Sequence, residues 1–257
     1  MKLKKVTGVS LVELMVALLL GSLIAVAATQ LFLVNQQTNN LQAGLSFVQD
    51  QGRYAFNYIS KDLMQAGYSD QGNQIAPFVF TEIVTGWEVS DDDVDPRFDR
   101  LVYRVEGGAN CSGGSFSGIK VYEVDGTGLK CKTRWWNPNL NDGAGGYTEN
   151  SAVVVDNVMA FQVVYGVDTD ELGDSGYGLA DYYTNADDIA PATDKVVSVR
   201  YALLIASDRV VNPDAATYAP NDIRVLDQTY DSDDLNFADG RAYRVYTSTV
   251  GVRNLGG

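Results

Sequence analysis

The stretch Lys2-Leu3-Lys4-Lys5-Val6-Thr7-Gly8-Val9-Ser10-Leu11-Val12-Glu13-Leu14-Met15 opens an apolar run that continues to Val34. Three lysines precede Gly8, and Glu13 is the one charged residue between Val9 and Val34. The 24 residues from Leu11 to Val34 would extend roughly 36 Å as a helix, enough to cross a hydrocarbon core of about 30 Å. The lysines hold the N-terminus on the cytoplasmic side, which sends the C-terminal bulk across the membrane. A carboxylate inside such a segment costs about 2.5–3.5 kcal/mol at the helix centre and less near its end, so Glu13 calls for a function. The rival reading is an ordinary secretory signal cut near Ala25-Val26-Ala27-Ala28. Glu13 argues against it, and so does the sequence that follows.

Residues 35–66 contain no proline and keep a helical period. Leu41, Leu45, Val48, Gly52, Ala55, Ile59 and Leu63 form one stripe, while Gln36, Asn39, Gln42, Gln49, Arg53, Asn57 and Lys61 lie opposite. Gly67 is placed as the residue just past the helix end. One helix is therefore expected over 9–66, with 9–32 in the membrane and 33–66 amphipathic. Gly44 and Gly52 weaken it by about 1 kcal/mol each relative to alanine. The stripe is the face that docks a head.

After Gly67 the texture changes to β, with Gly, Asp, Asn and Pro clusters between short apolar runs. Strands are expected at Phe78–Val84, Leu101–Glu106, Ile119–Val124, Leu129–Trp135, Val153–Asp156, Ala160–Val167, Val196–Ala206 and Tyr243–Arg253. Asp125-Gly126-Thr127-Gly128 reads as a hairpin turn. The fold class is α+β: a long N-terminal helix packed on a β-rich head, 67–257, of antiparallel sheet.

Composition narrows the function. Apolar residues make up 46% of the 257, enough for a packed core. Beyond residue 8 the chain carries 16 basic and 33 acidic residues, a charge of −17. That surface repels phosphate backbones, so no nucleic-acid partner is expected. The absence of histidine removes the commonest general base and transition-metal ligand. No nucleophile elbow, phosphate loop or zinc pattern occurs. Composition thus weighs against catalysis while leaving carboxylate chemistry open, and on the reading that follows no enzyme activity, cofactor or metal is expected.

Lys4-Lys5-Val6-Thr7-Gly8, followed by Val9-Ser10-Leu11-Val12-Glu13-Leu14-Met15, resembles the class III leader of type IV pilins and type II secretion pseudopilins. The resemblance implies removal of residues 1–8 by prepilin peptidase, with Val9 as the new, N-methylated terminus and Glu13 as its fifth residue. Val9 departs from the family, which usually has phenylalanine there. Gln51-Gly52-Arg53-Tyr54-Ala55, Asp62-Leu63-Met64-Gln65-Ala66-Gly67-Tyr68, the block from Val158 to Asp168, the block from Val196 to Ile205 and the ending Arg244 to Asn254 resemble PilW-type minor pilins. This implies a subunit that helps initiate pilus assembly. Its partners would be other minor and major pilins, prepilin peptidase and the assembly platform of the inner membrane. The head would lie in the periplasm and later on the cell surface. A minor pseudopilin of a type II secretion system shares leader, helix and head, and stays open as an alternative. So does an exported enzyme or adhesin with an ordinary signal peptide.

Three further features bear on function. Cys111 and Cys131 flank a hairpin, and export would let them form a disulfide; free thiols or pairing between subunits are the alternatives. Asp91–Asp95, Asp168–Asp174 and Asp231–Asp234 invite calcium, but the second loop has Leu172 and Leu179 where an EF-hand has ligands. Solvated acidic loops are the expected outcome. Trp135, Trp136, Tyr182 and Tyr183 are expected in core and sheet packing, with a sugar or partner surface as the other reading.

Overall fold

The computed structural model describes Gly8 and residues 10–72, 75–80, 96–135, 150–212 and 220–254. Helix α1 runs over Leu11–Leu63, 53 residues without a break. Glu13 in its first turn and Lys61 in its last match the helix dipole. The helix stops three residues short of expectation, capped at Met64 and followed by a turn over residues 64–67. Gly67 has the expected positive φ, 74°. Its N–H, however, donates to the Arg104 carbonyl at 2.9 Å, so it couples the turn to the sheet instead of capping the helix.

Among the described residues the head holds two four-stranded antiparallel sheets and a hairpin. The first sheet is a meander of β1 (Leu101–Ala109), β2 (Ser115–Asp125), β3 (Gly128–Trp135) and β4 (Asn150–Val155). Its β2–β3 turn falls on Gly126 and Thr127 as expected. The second sheet uses β5 (Val158–Asp168), β6 (Tyr182–Thr184), β7 (Lys195–Ala206) and β10 (Tyr243–Gly251) in the order β10-β7-β5-β6. β8 (Asp222–Val225) and β9 (Gln228–Asp231) form the hairpin.

Alternation along β5 and β7 explains the layering. Phe161, Val163, Tyr165, Val199, Tyr201, Leu203 and Ile205 share a core with Val48, Ala55, Ile59 and Leu63 of α1. The other face places Ala160, Ala202 and Leu204 under Val225, Tyr230, Leu235 and Phe237. Both faces of these strands are therefore covered, which is why their apolar character is nearly continuous.

Two expectations about elements need correction. Phe78 makes an isolated bridge to Tyr103, and no strand forms over 78–80; 81–84 lie outside the described residues. Pro77, next to it, offers no N–H for a ladder. Leu41 and Leu45 are exposed at 42% and 41%, because the buried face of α1 begins at Gly44, against Val211 and Ser207, and continues through Val48, which leaves Leu41 before it and Leu45 to its side. The helix glycines are docking points. A Cβ at Gly52 would lie 2.3 Å from the Tyr246 ring, so glycine is what lets β10 approach the helix.

Candidate functional site

The helix divides into an arm and a seat. Every described residue from Ser10 to Asn39 is exposed. The most apolar 18-residue window of α1 has mean hydropathy 2.5 and no buried residue. Its hydroxyls are satisfied locally: Ser22, Thr29 and Thr38 donate to the carbonyls of Leu19, Ala25 and Val34 at 2.8–2.9 Å. That removes their need for water. Among the described residues Glu13 makes no such bond; its carboxylate stands exposed in the first turn of the arm. Gly8 is exposed just before the helix, and Val9 lies outside the described residues.

The seat is built around a carboxylate that sequence reasoning did not single out. Asp62, 8% exposed, accepts from Tyr103 Oη at 2.6 Å, Tyr122 Oη at 2.5 Å and Lys120 Nζ at 2.6 Å. Lys120, 1% exposed, also donates to the Ala109 carbonyl at 2.9 Å. One helical acid thus joins α1 to both β1 and β2. Burial, and then the Asp62 charge, holds the Tyr103 and Tyr122 phenols well above their ordinary range. Tyr58 is pushed up to about 12 by burial and by Asp62. Burial lowers Lys120, against the pull of Asp62. The sequence did carry a signal. Asp62 is three residues past Ile59 and seven past Ala55, on the buried stripe, and Lys120 interrupts the apolar Ile119-Lys120-Val121-Tyr122.

The cysteines lie beside this seat. Cys111 and Cys131 are bonded, with Cα atoms 5.7 Å apart, and Tyr58 Oη donates to the Cys111 carbonyl at 3.1 Å. Gly8 and Glu13 belong to the arm, so the named residues do not converge on one pocket. They mark the two ends of a helix.

The acidic loops serve as turn fasteners. Asp168, Asp170 and Asp181 place carboxylate oxygens within 4.8 Å of one another, Asp181 being the member that the sequence did not suggest. Asp168 already accepts from the Gly178 and Asp170 amides and from Lys195 Nζ at 3.2 Å. The Gly178 amide is the main reason its carboxyl sits below the ordinary range. Asp181 accepts from Thr169. Asp174 takes the Glu171 amide. In the third loop, Asp231 accepts the amides of Asp233 and Asp234. Asp91–Asp95 and Trp136 lie outside the described residues, as does the side chain of Trp135. Tyr182 is 45% exposed, a correction to its expected burial: it opens β6, a three-residue strand at the edge of its sheet. Tyr183 is half-buried under Arg200, 3.8 Å from its ring centre.

Residues 125–254, from the end of β2 to past β10, match the family model described as Type IV Pilus-assembly protein W. The chain belongs to the PilW family. This makes it a component of type IV pilus assembly, and an exposed apolar helix fits a membrane-anchored one. Among solved structures, the type IV-like pilin TTHA1219 from Thermus thermophilus is similar at 17% identity and a TM-score of 0.44. That likeness covers 81% of this PilW-family chain and 98% of the other. No curated protein matches.

Proposed function

We propose that this PilW-family chain is a minor pilin that promotes initiation of pilus assembly. Prepilin peptidase removes residues 1–8, and Val9 becomes the mature, methylated terminus. The arm then anchors the subunit in the inner membrane, with the head in the periplasm, until it enters the filament at the cell surface. There Glu13 pairs with the α-amino group of a neighbouring subunit, which supplies the partner that a carboxylate in an apolar core requires. Other pilins and the assembly platform are the partners, and the chemistry is association rather than catalysis.

The observation that carries this reading is one continuous 53-residue helix, seated on a PilW-family head while its apolar half is buried nowhere. A secretory signal has no reason to share a helix with the core that it delivers. The family match favours a pilus over a type II secretion pseudopilus.

The test is mass spectrometry of the mature chain recovered from sheared pili. A terminus at Val9 in that fraction is expected. A terminus near Thr29, or a chain found only outside the pili, would overturn the reading.

A further inference from the structure

β10 is an edge strand of the second sheet. Its nine residues pair with β7 in unbroken register. The ladder continues at both ends: Val252 N–H donates to Val197 O and Ser207 N–H to Ala242 O, each at 2.8 Å. These pairs fix which backbone groups face β7. Even-numbered residues of β10 bond to β7, so the N–H and C=O of Tyr243, Val245, Thr247, Thr249 and Gly251 point away from the sheet. Among the described residues none of these outward groups has a backbone partner.

The other edges are blunted. β6 is three residues long. β1 carries a bulge between Val105 and Gly108 and is covered by contacts from Ser69, Phe78 and Val79. β4 is six residues with a register shift opposite Leu129. Long, regular edges are templates for another chain and are normally protected by proline, lysine or a bulge. β10 has none of these.

Charge says what fits there. Arg53 of α1 and Arg244 and Arg253, on and after β10, are exposed, and Arg53 and Arg244 act on the Tyr246 ring together with one acid, Asp50. None of the three arginines has a carboxylate partner among the described residues, although acids outnumber bases 33 to 19. Arg244 lies 5.6 Å from the Tyr246 ring, which itself covers Gly52 one residue from Arg53. Further along, Ser60, Met64 and residues 249–253 line an open cleft between helix and strand.

We propose that the free edge of β10 receives an extended, acidic segment of a neighbouring pilus subunit, which adds as a further strand beside α1. Backbone pairing supplies the register, and the flanking Arg53, Arg244 and Arg253, outnumbering Asp50, select carboxylates. This rests on the pilin reading for the identity of the partner.

The test uses the full chain in its own membranes, with a benzophenone amino acid at Thr247 or, as a control for the arm, at Leu18. The Thr247 probe should give an adduct whose cross-linked peptide comes from a second pilin and is rich in Asp and Glu. Thr249→Pro removes an outward N–H and leaves the β7 ladder intact. It should lower adduct yield at least fivefold, as should Arg53→Glu with Arg244→Glu, a pair that does not depend on how the proline variant folds. An adduct indifferent to both changes overturns the inference. An adduct at Leu18 with none at Thr247 overturns it and leaves the pilin reading standing. No adduct at either position sinks both.

Discussion

Asp62 concentrates the energetics of the head in one side chain. It accepts three hydrogen bonds from β1 and β2 while sitting on α1. Asp62→Ala leaves a buried lysine charge and two buried phenols without their acceptor. The expected loss is about 3–5 kcal/mol, because breaking a buried pair costs more than the pair itself stabilises. Urea unfolding of the full chain in detergent measures it, and a loss below about 1 kcal/mol would show the cluster to be solvated. Replacing both partners, Asp62→Leu with Lys120→Met, should recover much of that loss. Gly52→Ala illustrates a different balance. Alanine favours the helix by about 1 kcal/mol, but its Cβ meets the Tyr246 ring at 2.3 Å. Overpacking of about 1–3 kcal/mol should win, and a stabilised variant would refute the close approach. Glu123 gives the pH dependence. Burial raises its carboxyl, but hydrogen bonds and charge from Lys132 and Arg100 outweigh that, so its folded pKa lies below the ordinary value. A depressed carboxylate contributes stability above its unfolded pKa and loses it as pH falls, here below about 4.5. Glu123→Gln should cost about 1 kcal/mol near neutrality and flatten the acid limb of the stability curve; an unchanged limb would contradict the assignment.

At the scale of elements, the disulfide ties the loop after β1 to β3, with a sequence separation of 20 residues. In the chain-entropy model such a closure contributes roughly 3 kcal/mol. Cys111→Ala with Cys131→Ala should lower the melting temperature by several degrees, measured against the oxidised chain; equal melting temperatures would count against it. The elements differ in how legible they were. α1, β5 and β7 stood out because long periodic runs bury one face or both, and burial is what sets apolar spacing. β8 and β9 went unread. Asp222-Ile223-Arg224-Val225 and Gln228-Thr229-Tyr230-Asp231 are short and polar, and they cover the back of the second sheet with single residues such as Val225 and Tyr230. Their turn also lacked a signal: Leu226 takes φ 55°, where glycine or asparagine is expected. Asp62 was hidden for the opposite reason. Its stripe reads as packing, and its partner lies 58 residues away, a distance that no local period reports.

The whole molecule is two environments on one helix. From Leu11 to Asn39, α1 extends roughly 43 Å, a membrane span and more. Leu11, Leu14, Leu18 and Ile24 are each more than half exposed there. Such a surface must be covered, first by lipid and then, on the reading proposed above, by the helices of other subunits. The two covers treat Glu13 differently. In the membrane it lies one turn from the helix end, where headgroups and water are within reach. In a filament core it needs a cation. Glu13→Ala should therefore leave insertion and leader removal unchanged, and by sparing the burial of an acid it should strengthen membrane retention if it alters it at all. The same change should reduce the chain recovered in sheared pili at least tenfold, since a register set by one ion pair has no substitute among the remaining side chains of the arm. Immunoblots of membrane and pilus fractions, loaded at equal mature protein, separate the two effects. Wild-type recovery from pili would show that apolar packing alone fixes the register. A parallel loss from membranes would instead place the role of Glu13 in insertion.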